Sequence, residues 1–266
     1  MIYIIHHDDT DGFGSAFAAW KKFGDNAKYY PINHGQPFPI KEELQKEDDV
    51  YILDFSFPDI MPEISEKCNL IVIDHHKTAI DKYSKYTWFH HDITKSGCVL
   101  SWEYFNQEQE VPLILLYVQD WDLWKFELPN TQIIHPTIEI YKGIFSWWAY
   151  ISFGSKETWD QLLNESKIIA KHQSHIINLF VNSSWKINFE GYVAAVVNAP
   201  YPFISDTCDA LLRTFPEADL AISIVVGCGY HSWSLRSRMS SDIDVGALAL
   251  KHGGGGHKHA SGFKID

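Results

Sequence analysis

The residues able to do chemistry in this chain stand in four places, and each follows a short apolar run. His6-His7-Asp8-Asp9-Thr10-Asp11-Gly12 follows Met1-Ile2-Tyr3-Ile4-Ile5, and Asp54 follows Val50-Tyr51-Ile52-Leu53. Asp74-His75-His76 follows Leu70-Ile71-Val72-Ile73, and Asp120 follows an apolar stretch from Leu113, with Asp122 two residues on. In an extended segment His7, Asp9 and Asp11 fall on one face. Carboxylates gathered in this way repel one another unless a cation lies between them. Alone, the Asp-Thr-Asp step reads as a helix cap in a solvated acidic turn. Together with three further acidic or histidine sites, it reads as part of a divalent-metal centre. A mixed carboxylate and imidazole set suits Mn²⁺ better than a thiolate-seeking metal.

These side chains need elements that deliver them to one place. Apolar runs of four to six residues, rich in Ile and Val and bounded by breakers, predict buried strands. Gly12 and Gly14 are expected to turn the backbone into a helix over 15 to about 23. A second strand is expected over 27–31, leading into a Gly/Pro loop over 33–39. Strand followed by acid, three times over with helical segments between, is the pattern of a parallel sheet with its chemistry along the carboxyl edge. Residues 113–118 form a buried helix or strand that delivers Asp120, while Asp122 suits a cap on the next helix. Thr94-Lys95-Ser96-Gly97 precedes an apolar helix over 98–105; it reads as an N-cap, with backbone amides that could instead meet a phosphate.

Residues 158–181 have a helical period and contain no Gly or Pro. Beyond 185 the character changes, with strands predicted over 192–197, 219–226 and 233–238 and helices over 205–215 and 245–252. The last helix runs into Gly253, Gly254, Gly255, Gly256 and His257, then Ala260-Ser261-Gly262 and an apolar end. That sequel points to a phosphate-cradling turn and not to a linker. The predicted fold class is α/β. A parallel-sheet domain with helices on both faces occupies 1–185, including a helical connector over about 158–185. A smaller mixed-sheet α/β domain occupies 186–266.

Composition bounds the function. Hydrophobic residues make up 45% and charged residues 21% of the 266, an ordinary globular balance with no run of transmembrane length and no opening signal segment. Cys68, Cys98, Cys208 and Cys228 form no Cys-x-x-Cys pair and read as reduced packing residues of a cytoplasmic protein. A net charge of −12, with no Lys/Arg-rich run, argues against wrapping long DNA or RNA. His90, His91, His172 and His175 stand outside the motifs and read as surface or core-edge residues. Trp121, Trp124, Trp147, Trp148 and Trp159 read mostly as core, with one or two open as a base-stacking platform.

His7-x-Asp9-x-Asp11-Gly12, Asp54 after a strand, Asp74-His75-His76 and Asp120 resemble the four motifs of the DHH phosphoesterases. Ser234-Leu235-Arg236-Ser237, Asp244-Val245 and the glycine run through His257 to Gly262 resemble the DHH-associated second domain. The resemblance takes in nearly the whole chain, and several blocks matching in order make it specific. It implies two divalent metals, manganese foremost. His7 and Asp9 would bind one, Asp11, His75 and Asp120 the other, and Asp54 both; His6 is the neighbouring alternative to His7. It also implies that Asp74 orients His75, that His76 reaches the phosphate or leaving oxygen, and that Arg236, Gly254, Gly255, Gly256 and His257 hold substrate phosphate.

Within that family the expected activity is a nanoRNase-like hydrolysis of linear dinucleotides or very short oligoribonucleotides to 5′-mononucleotides. The second reading is a phosphatase of 3′,5′-bisphosphonucleotides, polyphosphate or pyrophosphate. A non-catalytic nucleotide-binding module ranks last, because it would need a damaged metal set. The expected partner is a short nucleotide, with no long nucleic acid and no membrane; the sequence leaves the oligomeric state open.

Overall fold

β1 (Ile2–His7) is apolar along most of its length because both of its faces are covered. A computed structural model describes residues 1–227 and 230–265; Cys228 lies outside the described residues. β1 pairs in parallel with β2 (Ala27–Ile32) on one side and β3 (Asp49–Leu53) on the other. β4 (Asn69–Ile73) and the short β5 (Phe89–His90) continue the sheet in the order β2-β1-β3-β4-β5, all parallel. The chain steps from β1 to one side and then crosses back to the other. The carboxyl ends of β1 and β3 therefore flank the point where the winding reverses, the usual ligand crevice of an open α/β sheet.

The pleat divides the strand residues between two cores. Ile4, Leu53 and Ile73 pack with Phe13, Ala16 and Phe17 of α1 (Thr10–Phe23). Tyr3, Ile5, Val50, Ile52, Leu70 and Val72 face α2 (Met61–Lys67) and α3 (Lys77–Tyr83) on the opposite side. The α1 side is filled out by α4 (Gly97–Phe105), α5 (Leu113–Asp122), α6 (Thr131–Ile140) and α7 (Phe145–Ser152), with Trp102 and Trp148 wholly buried between them. The expected α/β sheet with helices on both faces is the observed one.

α8 (Lys156–Asn182) is 27 residues long, and the chain divides into two compact units within it, Met1–Ala170 and Lys171–Asp266. The second unit contains β6 (Trp185–Phe189), β7 (Tyr192–Val197), α9 (Ile204–Thr214), β8 (Leu220–Gly227), β9 (Tyr230–Ser237), α10 (Val245–Lys251), β10 (Gly255–Gly256) and β11 (Ala260–Ile265). Its sheet runs β10-β11-β9-β8-β7-β6, parallel between β7 and β8 and antiparallel elsewhere. Alternation again serves two faces: Ala195, Val197 and Ala221 pack with Cys208 and Leu211 of α9, while Ala194, Val196, Leu220 and Ile222 pack with Val245 and Leu248 of α10.

Several expectations need correcting. α1 begins at Thr10, so Gly12 and Gly14 lie inside the helix; the extended segment carrying His7, Asp9 and Asp11 ends before Asp11 is reached. Asp9 takes over as N-cap, its Oδ1 accepting from the Gly12 amide at 2.8 Å. Of the helix and the strand left open for 113–118 the helix is the one formed, over Leu113–Asp122, but Asp122 is its last residue instead of a cap on α6, whose N-cap is Asn130. The described Cys68, Cys98 and Cys208 are buried free thiols. Among the described residues no helix is long and apolar enough to cross a membrane.

Candidate metal centre

The carboxyl ends of β1, β3 and β4 bring His7, Asp54 and the Asp74-His75-His76 step to one edge. Three sets of side chains there have ligand atoms within 4.8 Å of one another: His7, Asp9 and Asp54; Asp11, His75 and Asp122; and Asp54, His75 and His76. Asp54 belongs to two of them, and its oxygens point in different directions. Oδ2 lies 3.8 Å from His7 Nδ1, whereas Oδ1 lies 3.2 Å from His75 Nε2. His75 Nε2 is in turn 3.8 Å from Asp11 Oδ2 and 3.6 Å from Asp122 Oδ2.

The backbone is bent to allow this. Asp54 has φ +53°, the left-handed region that non-glycine residues rarely enter, and its amide still donates to the Ile73 carbonyl at 2.8 Å. Such strain costs of order 1–3 kcal/mol and collects at functional sites. Gly97 stands against the same side chain: a Cβ there would lie 2.5 Å from Asp54 Cβ and 2.7 Å from its Oδ1. The amides at the start of α4 are occupied as well. Gly97 N–H donates to Asp11 Oδ2 at 2.6 Å and Cys98 N–H to Oδ1 at 3.0 Å. The helix terminus that the sequence offered to a phosphate holds a carboxylate of the site, a favourable match to its dipole.

Electrostatics follow from this crowding. Burial and the charges of Asp11, Asp9, Asp122 and Asp74 push Asp54 well above the usual carboxylate range. At Asp9 burial acts upward, while the His7 ring close to its Oδ2 and the Gly12 amide that donates to its Oδ1 act downward. Among the described residues, His7 Nδ1, Asp54 Oδ1 and His75 Nε2 are all buried with no hydrogen-bond partner. His7 Nδ1 comes within 2.6 Å of Asp9 Oδ2 without forming a hydrogen bond. Buried polar atoms are normally paired. Lone pairs left bare side by side, within a cluster of mutually repelling carboxylates, fit a divalent cation of the imidazole- and oxygen-loving kind.

Some expected residues go elsewhere. Asp120 is kept out of the cluster: its carboxylate accepts from the Glu127 and Leu128 amides at 2.8 and 3.1 Å and from the Thr131 hydroxyl at 2.5 Å. Asp122, two residues further round the last turn of α5, takes the place beside His75 that was expected of Asp120. Asp74 does not reach His75. Its Oδ1 accepts from the His76 amide at 3.0 Å and faces His76 Nδ1 at 2.8 Å, while Ser56 Oγ donates to Oδ2 at 2.6 Å. An aspartate reaches the amide two residues on far more readily than the ring between them. Burial lowers the His76 pKa, but the Asp74 bond and charge outweigh it and raise the ring to about 9. His6, the alternative to His7, is buried behind the edge; its Nδ1 donates to the His7 carbonyl at 2.8 Å, and burial drops it to about 4.

Sequence reasoning missed Ser56, which donates to Asp74, and the close approach of Gly97 to Asp54, and gave Asp122 a cap's role. It also missed His34, beyond the end of β2, whose ring packs 5.2 Å from His7 and 4.9 Å from Phe55. In the second unit, Arg236 donates to the Leu235 carbonyl at 3.0 Å and to Ser205 Oγ at 3.2 Å, and burial lowers its pKa. Gly255 and Gly256 pair with β11, and the His257 amide donates to the Ala260 carbonyl at 2.7 Å, so the glycine run is a tight hairpin. Gly254 is obligatory in that hairpin, since a Cβ would lie 2.1 Å from the Gly262 carbonyl oxygen.

Residues 1–118 match the DHH family, N-terminal domain. The match covers 118 of the 266 residues, all of them within the first unit. It is 32% identical, across 98% of its length, to an uncharacterised protein of Acanthamoeba polyphaga mimivirus, and it spans 66% of that curated relative. Among solved structures it is similar to the DHH domain of a member of the s1p family of ribosomal proteins, with a TM-score of 0.65 at 14% identity over 98% of this chain and 82% of that one. The exonuclease RecJ bound to manganese gives 0.57 at 14% identity, over 100% and 86%. A pGpG-specific phosphodiesterase, PggH, from Vibrio cholerae gives 0.50 at 13%, over 100% and 93%. At such identities the likeness is one of fold.

Proposed function

We propose that this chain is a divalent-metal-dependent phosphodiesterase that hydrolyses linear dinucleotides or very short oligoribonucleotides to 5′-mononucleotides. The observation that carries the reading is Asp54, a strained and buried carboxylate whose two oxygens face two separate groups of ligand atoms. His7, Asp9 and Asp54 would hold one ion and Asp11, Asp54, His75 and Asp122 a second, with Mn²⁺ the metal that this donor set favours. A bound pair of such ions supplies charge neutralisation at the phosphate and a more acidic water.

The protein's own side chains do the rest. The Asp74 bond fixes the His76 ring, so that it can donate to a phosphate oxygen or to the departing oxygen. Ser56 fixes Asp74, and through it the orientation of the His76 ring. In the second unit Arg236, with fork donors beyond the two already used, and His257 beside Gly254, Gly255 and Gly256 are proposed to bind substrate phosphate. The short substrate is supported by the charge of −12. PggH, whose described substrate is the dinucleotide pGpG, shares the fold.

The test is the product profile of purified protein, with and without Mn²⁺, on linear dinucleotides, 3′,5′-bisphosphonucleotides and polyphosphate. We expect 5′-mononucleotides from dinucleotides only when metal is present. Inorganic phosphate released from bisphosphonucleotides, with dinucleotides untouched, would transfer the reading to a phosphatase.

A further inference from the structure

Asp120 is a buried carboxylate that the metal cluster does not use, yet it carries a dense set of contacts. Besides the Glu127 and Leu128 amides and the Thr131 hydroxyl on its carboxylate, its main-chain carbonyl accepts from the Lys125 amide at 2.9 Å. The segment between α5 and α6 is thereby folded back on the end of α5. That fold is strained: Trp124, Phe126 and Asn130 all have φ between +54° and +67°. Something must hold these non-glycine residues there, and the Asp120 carboxylate is the group to which the segment returns.

The residue next to it is fixed in a second way. The Trp121 ring lies parallel to that of His135 on α6, with centroids 4.2 Å apart and planes 3° apart. The chain is therefore pinned at Asp120 and Trp121, and the next residue is Asp122, whose carboxylate stands 3.6 Å from His75 Nε2. Asp122 is more exposed than His75 and Asp11, with which it groups, and sits on the last turn of a helix, where fraying is easiest. Among the hydrogen bonds described for the site, none ends on its carboxylate. Its direction has to come from the backbone that carries it.

We infer that Asp120 is a positioning residue: by tying the α5–α6 segment to the end of α5 it aims Asp122 at His75 and Asp11. The paired aspartates thus divide two tasks, one internal anchor and one carboxylate presented at the site. The inference rests on the reading of Asp122 as a metal ligand.

The experiment titrates metal-free full-length protein with Mn²⁺ by calorimetry and records thermal midpoints alongside. Wild type is compared with Asp122→Asn, Asp120→Asn, Thr131→Val and Thr131→Ser. Asp122→Asn should weaken Mn²⁺ binding; wild-type affinity in that variant would overturn the ligand role of Asp122, and the positioning role with it. With Asp122→Asn weakened, Asp120→Asn should remain folded and bind Mn²⁺ about 10–100-fold more weakly, the usual loss when a group supporting a metal ligand is removed. Thr131→Val should move the same way by less, and Thr131→Ser, which keeps the hydroxyl, should restore the wild-type value. An Asp120→Asn protein that melts earlier but binds Mn²⁺ as wild type does would make Asp120 purely structural. If that variant fails to fold, Thr131→Val decides: unchanged affinity overturns the inference, and weaker affinity restored by serine sustains it.

Discussion

At the scale of single residues, the site is a place where stability and function pull apart. Asp54 is buried among carboxylates, so its pKa lies well above the usual range. A carboxyl with a raised folded pKa loses stability as pH climbs above its unfolded value, because the unfolded chain releases the proton and the folded one resists. Without metal, neutral pH is therefore an unfavourable condition for this side chain. Asn is nearly isosteric, carries no charge and tolerates a left-handed backbone at φ +53°. We predict that metal-free Asp54→Asn melts higher than metal-free wild type at pH 7, by roughly 2–4 °C for each kcal/mol of repulsion removed. The same variant should lose turnover and the wild-type stabilisation by Mn²⁺, which thermal melts with and without metal will show. A variant that melts lower without metal, or still turns over, would contradict the balance of forces described for Asp54.

At the scale of elements, α6 carries a second titratable liability away from the cluster. His135 is 4% exposed, its Nδ1 has no partner among the described residues, and burial drops its pKa to about 3. Between that value and the ordinary 6.5 the unfolded chain takes up a proton that the folded chain refuses, so stability is lost as pH falls through this window. Going from pH 7 to pH 5 should cost about 2 kcal/mol through this one ring. His135→Phe keeps an aromatic face for Trp121 and removes the titration, so its urea midpoint should fall less on acidification than that of wild type. Equal falls in the two proteins would show that His135 is not kept neutral by its surroundings. The stack also marks where the sequence stops being legible. The ends of β1, β3 and β4 could be read in advance, since an apolar run followed by an acid places that acid at the sheet edge whatever else the chain does. Asp120 and Asp122 could not be told apart, because their roles depend on the rotation of the last turn of α5 and on the return of Thr131, eleven residues away in sequence. Ser56 carries no local pattern either, and the turn legible at Gly97 does not foretell that Asp54 will arrive against it.

At the scale of the whole molecule, charge and the placement of the cluster bear on how long a substrate can be. A protein that holds a long strand neutralises many phosphates with Lys and Arg, and its affinity rests on the counterions so released. This chain has 22 Lys and Arg against 34 Asp and Glu, and several of its lysines are already committed to acids, as Lys142 is to Asp8 beside the cluster and Lys95 is to Glu103. On the proposed reading, attraction for phosphate comes from metal ions held at the sheet edge and from cations such as Arg236. Each nucleotide added beyond those contacts brings a further negative charge to a negative surface. We predict that kcat/KM with Mn²⁺ is highest for a dinucleotide and falls through RNAs of three, five and ten nucleotides. Raising the salt concentration should narrow the differences, because screening weakens repulsion between exposed charges over about 10 Å at 0.1 M. Initial rates on the four lengths at two ionic strengths decide the matter. Rates that climb with length, and drop in salt, would mean a strand-tracking exonuclease whose basic path the net charge conceals. Rates that fall with length but ignore salt would point to a steric limit on the substrate in place of an electrostatic one.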